Sequence, residues 1–450
     1  MQTKKFSFSI LTHALWGMFA LTLFSGIFLL VYYVPTFSQA FSSVQRVNEQ
    51  VPFGWMIRRI HGAGGTFLLL LFLLHLLRVF SSGDYKTRCR PVWVFEALLL
   101  LGALGVNFTG FFLPLSQGAF WGTASLLSAL STLPWLGNSL VEFWRGGREL
   151  GGIALARFLS MHIGFAALIA LLLYAHDRMS VPRREEELKL QGSRSLWVWG
   201  VVSILLFAGM TLQPSWFVDP LREAANPTAS PEGVSSPWFL LFLPEAFSFF
   251  NSSYPLGAVI LWGLSLILLF GLPFFDRNPE KNLLQRPACL AVGAALLMGG
   301  VYFTLVGMAG AHYGEMVILP IQKLTPAEVR GAQVYARKNC AYCHQVLGHQ
   351  GRREGPDMAV VRQRNRSPEW VQRFIWNARL YRPGTTMPKY EIPLEDLEAL
   401  GAYLLSLDPT QRGFQAVDRE NLLNFGRIRR STLPYKKFSP QYFHNSFLFL

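Results

Sequence analysis

Long apolar runs separated by polar connections dominate the chain up to residue 308. A helix that crosses a membrane needs about 20 mostly apolar residues. Runs of this kind predict seven spans, at 10–33, 55–80, 92–115, 153–176, 196–213, 254–272 and 287–308. We therefore expect a helical membrane protein whose last third lies outside the bilayer.

The composition agrees with this prediction, since 51% of the residues are hydrophobic and only 15% are charged. The N-terminus and the loops 81–91, 177–194 and 273–286 carry thirteen Lys and Arg residues, whereas the opposite loops carry four. Positive residues concentrate on the cytoplasmic side. We expect a multi-pass protein of the inner (cytoplasmic) membrane, with the N-terminus in the cytoplasm and everything after residue 308 in the periplasm. The net charge of +14 then reflects topology and a basic tail, and does not indicate nucleic-acid binding.

Four histidines form two pairs with equal spacing inside the apolar runs: His61 with His75, and His162 with His176. Fourteen residues advance a helix by close to four turns and about 21 Å, so both members of a pair face one way at two depths. Ionisable residues in membrane helices are costly and usually functional. The spacing predicts two helices that hold two stacked haems. A single histidine of this kind can also be a hydrogen-bonded core residue.

The segment Cys340-Ala-Tyr-Cys343-His344 has the C-x-x-C-H pattern of covalent haem attachment. Two thiols bind the porphyrin in such a segment and the histidine ligates iron. A zinc or redox motif is the alternative for a bare C-x-x-C. Haem attachment takes place outside the cytoplasm, which agrees with the predicted topology.

The region 322–408 resembles a small class I cytochrome c. The resemblance rests on a helix led by Thr325-Pro326-Ala327-Glu328, on Gly355-Pro356, on Thr386-Met387-Pro388 and on a last helix at 394–406. It implies that Met387 is the sixth iron ligand and that the Pro356 carbonyl accepts the ring proton of His344. A methionine ligand raises the haem potential.

Five further stretches of the membrane part are distinctive: Ala40-Phe41-Ser42-Ser43-Val44, Gly54-Trp55-Met56-Ile57-Arg58, Gly110-Phe111-Phe112-Leu113-Pro114, Phe120-Trp121-Gly122 and Leu140-Val141-Glu142. With the paired histidines, they make residues 1–178 resemble the N-terminal four-helix part of cytochrome b from quinol-cytochrome c reductases. Residues 195–308 resemble its three-helix C-terminal part. The expected fold is all-α, a seven-span haem b bundle followed by a cytochrome c domain at 322–408 and a basic tail at 411–450.

The resemblance assigns roles to the paired histidines. His61 and His162 would ligate the low-potential haem b near the outer face, and His75 and His176 the high-potential haem b near the cytoplasm. Three arginines stand where haem propionates are expected, with snorkelling anchors as the structural alternative; they are Arg58, Arg78 and Arg157.

The family's activity follows from the same resemblance. Quinol would be oxidised at an outer pocket, with one electron passing through a Rieske iron-sulfur partner to haem c and the other through two b haems to quinone at the inner face. Protons would be translocated. The expected groups are two haem b, one covalent haem c and quinone as substrate. The expected partners are the Rieske protein, a soluble or membrane cytochrome c or other acceptor, the quinone pool and a second copy in a homodimeric complex.

Two segments depart from the family. Its Pro-Trp-Gly turn is here Pro114-Leu115-Ser116, and its Pro-Glu-Trp-Tyr element aligns with Ser236-Pro237-Trp238-Phe239. The glutamate that would accept a quinol proton is therefore missing, although a carboxylate in an apolar pocket is a natural proton acceptor. Glu245 and Glu232 are the nearest candidate catalytic residues, and a solvated loop charge is the alternative for each.

The missing glutamate favours a second function. The same haems would then form a linear conduit that joins the quinone pool to a partner oxidoreductase without bifurcation. A non-enzymatic assembly protein would require the complete ligand sets to be coincidental.

Overall fold

The structure is a computed structural model of the chain. It describes residues 6–86, 90–131, 133–147, 149–180, 200–205, 207–209, 218–229, 237–251, 256–309, 316–348, 355–364, 366–382, 385, 387–408, 413–424 and 436–437.

The described residues of the N-terminal two thirds of the chain are mostly helical. The helices are α1 Phe6–Tyr32, α2 Ala40–Gln50, α3 Gly54–Ser82, α4 Arg90–Phe112, α5 Gln117–Ser131, α6 Gly137–Arg145, α7 Gly152–Ser180, α8 Phe242–Asn251, α9 Gly257–Phe275 and α10 Pro287–Ala309. Among the described residues, five helices are long and apolar enough to cross a membrane: α1, α3, α4, α7 and α10. The shorter apolar α9 matches the predicted span at 254–272, whereas the predicted span at 196–213 lies partly outside the described residues.

The four longest helices of the N-terminal part form the bundle core. α1 packs along α3, and α4 packs along both α3 and α7. Large apolar side chains fill the space between them, including Met18, Phe72, Leu99 and Leu173. Because lipid is as apolar as these residues, close van der Waals packing holds such helices together in a membrane.

A buried polar network joins the loop after α3 to the loop between α9 and α10. The Arg286 guanidinium is fully buried and lies 3.0 Å from the Asp276 carboxylate, with Lys86 Nζ at 2.8 Å from the same carboxylate. The Tyr85 hydroxyl also donates to Asp276. Burial raises the Asp276 pKa, but the hydrogen bonds from Lys86, Tyr85 and Arg286 outweigh burial and lower it to about 2. Ionised Asp276 therefore balances the buried Arg286.

A small helical domain follows the membrane part. Its elements are β1 Met316–Pro320, α11 Pro326–Arg337, α12 Val360–Gln363, α13 Pro368–Trp376, α14 Leu394–Ser406, β2 Phe414–Asp418, α15 Arg419–Asn424 and β3 Lys436–Lys437. The predicted helix starts are confirmed: Thr325 and Glu328 form a capping box at the start of α11, and α14 spans the predicted 394–406. α11 packs on α14 through Tyr335 and Tyr403.

The two ends of this domain are tied together by strands. β1 pairs antiparallel with β2, so that Val317 lies opposite Val417, and β2 pairs with β3. The Tyr403 hydroxyl donates to the Ile318 carbonyl at 2.7 Å and fixes α14 to β1.

Candidate cofactor sites and outer pocket

His61 of α3 and His162 of α7, the pair predicted to lie nearer the outer face and called the outer pair here, face each other. The ring centroids of His61 and His162 lie 6.0 Å apart. Each Nδ1 lies 2.9 Å from a backbone carbonyl, that of Thr22 for His61 and that of Val106 for His162. A carbonyl at Nδ1 fixes the tautomer and leaves Nε2 as the metal ligand.

Glycines leave space beside both outer rings. A Cβ at Gly26 would lie 2.8 Å from Cε1 of His61, and a Cβ at Gly110 would lie 2.8 Å from Cε1 of His162. Since neither position carries a side chain, the porphyrin can approach both rings. The outer pair therefore fits the expected bis-histidine haem b.

The inner histidines have a different environment. The ring centroids of His75 and His176 lie 5.4 Å apart, and the Glu96 carboxylate of α4 lies between the rings. Its Oε1 is 2.8 Å from Nδ1 of His75 and 2.7 Å from Nε2 of His176. All three side chains are at most 2% exposed.

This geometry does not fit the haem expected from His75 and His176. A haem held by both rings would need the space between them for its iron, and the Glu96 carboxylate takes that space. The three donor atoms lie within 4.8 Å of one another, a His₂-carboxylate set that a single divalent transition-metal ion also accepts. A porphyrin between the rings of His75 and His176 would overlap the Glu96 side chain.

The three arginines expected at haem propionates each have a protein partner. Arg58 donates to the Asp219 backbone carbonyl, Arg78 lies 3.6 Å from the Asp84 carboxylate, and Arg157 donates to the Phe143 carbonyl. The contact of Arg58 joins α3 to the segment 218–229. The role of Arg58, Arg78 and Arg157 at haem propionates stays a prediction.

The C-x-x-C-H segment forms a short turn after α11. Neither Cys340 nor Cys343 is part of a disulfide bond, and burial raises the Cys340 pKa to about 12. The predicted hydrogen bond is present, since His344 Nδ1 lies 2.9 Å from the Pro356 carbonyl. A Cβ at Gly355 would lie 2.1 Å from Cε1 of His344, so this position requires glycine. Covalent haem c fits this arrangement.

The expected sixth ligand lies on the same core. Met387 is half-buried and packs against the domain's apolar cluster, and its backbone N–H bonds Thr385 Oγ1 at 3.2 Å. Met358 is buried within that cluster. The assignment of Met387 as ligand stays a prediction.

The segment 218–229 covers the outer end of the bundle. The Ser116 hydroxyl donates to the Asp219 carboxylate at 2.6 Å, and the Ala225 N–H donates to the Leu115 carbonyl at 3.0 Å. Leu115 has a φ of +49°, a left-handed conformation that this pairing holds in place. The turn Pro114-Leu115-Ser116, which departs from the family sequence, is therefore held in place by its hydrogen bonds to the segment 218–229.

The candidate proton acceptor Glu245 lies in the first turn of α8, and its side chain is 7% exposed. A Cβ at Gly307 of α10 would lie 2.9 Å from Glu245 Cγ, so the missing side chain makes room for the carboxylate stem. Trp238 and Phe239 precede α8 and pack edge to face. Glu232 lies outside the described residues.

The small domain contacts the outer end of the bundle. Arg379 lies in the same cleft as Arg145, which is buried at the end of α6, and Phe120, Trp121 and Thr385 also line it. Burial, followed by the nearby Arg379 charge, lowers the Arg145 pKa to about 10. Two guanidinium groups thus stand beside Thr385, which lies two positions before Met387 in the chain.

Sequence reasoning missed three functional positions. Glu96 was visible as a lone acid within the predicted span 92–115, where ionisable residues are functional by default. Gly26 and Gly110 were also visible, because each lies on a neighbouring apolar run. Only the packing of α1 and α4 on α3 and α7 shows which histidine each of them faces.

A membrane helix bundle with paired internal histidines and an appended C-x-x-C-H domain defines a membrane electron-transfer haem protein. Residues 5–182 match the family Cytochrome b/b6/petB, 224–325 match Cytochrome b(C-terminal)/b6/petD, and 328–408 match Cytochrome c. The chain is 30% identical to cytochrome b of Acanthamoeba castellanii, over 60% of this chain and 75% of that protein.

The chain therefore belongs to the cytochrome b family. Its fold resembles a chain of a solved hyperthermophilic respiratory complex III with a TM-score of 0.57 and 21% identity, over 74% of this chain and 88% of that one. The chain joins both parts of a cytochrome b to a cytochrome c domain, as the sequence predicted.

Proposed function

We propose that this subunit oxidises quinol at its outer face and passes the electrons to an acceptor on that same side. The observation that carries the proposal is the nearness of the turn Pro114-Leu115-Ser116 to Gly110, which faces His162. Gly110 faces His162, and the turn that contains Pro114 and Leu115 begins about one helical turn later in the chain. A quinol bound beside this turn would lie close to His61 and His162, the histidine pair that fits a haem.

Glu245 supplies the proton acceptor in this proposal. Quinol loses two protons with its two electrons, and a carboxylate on an apolar helix is suited to accept one of them. Trp238 and Phe239 offer an apolar wall for the ring of the substrate. Glu245 would thus replace the glutamate missing from the Pro237-Trp238-Phe239 element.

Two groups of residues would hold the cofactors. His61 and His162 would bind haem b, and Cys340, Cys343 and His344 would bind haem c with Met387 as sixth ligand. A bound haem supplies one-electron redox chemistry at each place. The N-terminus would lie in the cytoplasm and the cytochrome c domain in the periplasm, where an external acceptor can reach it.

Linear transfer is favoured over bifurcation by Glu96. The bifurcated scheme sends one electron inward across the bundle, and it needs a second redox group between His75 and His176. The Glu96 carboxylate lies in that place. A Rieske partner distinguishes the bifurcated scheme, whereas a homodimeric assembly is compatible with both.

The experiment uses the purified complex in sealed liposomes, with quinol as donor and ferricyanide outside as an impermeant oxidant. Linear transfer releases one proton outside for each electron delivered. Bifurcation returns half of the electrons to the inner face and doubles that ratio. A doubled ratio contradicts the linear proposal, and absence of quinol oxidation contradicts the proposed function as a whole.

A further inference from the structure

The outer and inner histidine levels differ at the positions that face the rings. Gly26 of α1 faces His61, and Gly110 of α4 faces His162. The inner histidines come fourteen residues later on α3 and α7. Successive spans cross a bilayer in opposite directions, so the matching positions on α1 and α4 come fourteen residues earlier.

Those matching positions carry side chains. They are Thr12 on α1 and Glu96 on α4, which are 6% and 1% exposed. Both glycines of the outer level are thus replaced at the inner level. The contact of Glu96 with His75 and His176 confirms that position 96 faces the inner rings, as position 110 faces an outer ring.

The contacts of the inner rings differ as well. At the outer level each Nδ1 lies at a backbone carbonyl, which leaves both Nε2 atoms for a metal. At the inner level His75 turns its Nδ1 towards Glu96. The inner pair is therefore arranged around a carboxylate, whereas each ring of the outer pair is held at Nδ1 by a backbone carbonyl and keeps its Nε2 for iron.

We propose that the chain carries one haem b, at the outer level, and that Glu96 closes the inner haem site. The carboxylate is stable there because two imidazoles compensate for its burial. Removing one partner of such a buried group is costly, so the triad is a structural unit of its own. Neither quinol oxidation nor any partner enters this proposal, which concerns the haem content alone.

The first test is the ratio of haem b to haem c in the purified complex, measured from the pyridine haemochrome spectrum. The covalent haem c counts the matured chains, so the ratio needs no estimate of protein. One haem b for each haem c is the expected result. Two haem b for each haem c would overturn the proposal. Neither result depends on turnover, so the proposed function is tested separately.

Two histidine variants locate the haem. His75→Ala should leave the ratio at the value of the unaltered complex, and His61→Ala should remove haem b while haem c is retained. A loss of haem b in His75→Ala would contradict the proposal.

The matched substitution at the outer level tests the cause. Gly110→Glu places at His162 the residue that nature places at the inner level, and we expect the ratio of haem b to haem c to fall to nearly zero. If Gly110→Glu retains its haem b, a glutamate at this position does not exclude haem, and the assignment of Glu96 fails.

Discussion

Arg379 of the cytochrome c domain donates a hydrogen bond from Nη1 to Glu149 Oε1 of the cytochrome b part at 2.5 Å. The Glu149 side chain is 68% exposed, so water and salt screen the pair and its stabilisation is about 0–1 kcal/mol. The contact therefore orients the domain without locking it.

We predict that Glu149→Gln slows the reduction of haem c by quinol by up to about fivefold at low salt, the factor that 1 kcal/mol gives. The reduction rates of the native protein and of Glu149→Gln should become equal as the salt concentration rises, because salt screens the charges of the native Arg379–Glu149 pair. Stopped-flow absorbance of haem c at two ionic strengths measures it. Glu395→Gln is the control, since Glu395 pairs with Arg330 inside the same domain. A slowing independent of salt would contradict the prediction.

Replacement of Glu245 by glutamine should abolish most of the quinol oxidation. A positioned proton acceptor contributes about 100-fold or more to a rate, so we expect kcat to fall by about that factor with KM little changed. Steady-state reduction of ferricyanide by quinol measures the effect. Glu142→Gln, an exposed position on α6, should keep the native rate. A fully active Glu245→Gln variant would remove this residue from the proposed site.

Asp276→Asn should destabilise the protein by about 3–5 kcal/mol, because it leaves Arg286 buried without its counter-charge. Thermal unfolding of the detergent-solubilised complex measures the loss. Glu280→Gln is a suitable control, since Glu280 is exposed and offers only its backbone carbonyl to Lys86. Equal unfolding temperatures for Asp276→Asn and the native protein would show that the network adds no stability.

The pH dependence of this network follows from the lowered Asp276 pKa of about 2. The pKa of a free aspartate is about 3.9. Because folding lowers the pKa, the stabilisation is complete above about pH 4 and is lost as the pH falls towards 2. The difference in stability between the native protein and Asp276→Asn should therefore be constant at neutral pH and shrink in acid. A difference that grows in acid would have the wrong sign.

Gly355→Ala should disturb the haem c site, because the new methyl group would lie 2.1 Å from Cε1 of His344. The ring must move, which breaks its hydrogen bond to Pro356. We expect a several-fold loss of low-spin haem c in the optical spectrum. Gly401→Ala is the matched control, since the nearest atom at that helical position is 3.6 Å away. Unchanged spectra in both variants would refute this account of Gly355.

Gly26→Ala tests the outer haem in the same way, with a methyl group 2.8 Å from Cε1 of His61. The expected result is a several-fold lower haem b content at unchanged haem c. Gly164→Ala is the control, since no atom lies within 4 Å of a Cβ at that position of the same bundle, and this variant should retain its haem b. Equal haem b content in the two variants would mean that the His61 ring can move away from the new methyl group without loss of haem.

The sequence predicted those parts of the fold and site that depend on local patterns. The histidine spacing, the C-x-x-C-H segment and the start of α11 at Thr325 are all readable along the chain. The role of Glu96 is not, because it depends on how α4 is rotated against α3 and α7. The same holds for Asp219, whose contacts with Arg58 and Ser116 join residues more than 100 positions apart.

The strand pair at the base of the cytochrome c domain has a consequence for kinetics. β1 and β2 hold both ends of the domain at one point close to the end of α10. A domain tethered in this way meets the membrane part at an effective concentration of about millimolar order. Its encounter with the bundle is therefore a first-order event that dilution does not slow, and only the external acceptor has to arrive by diffusion.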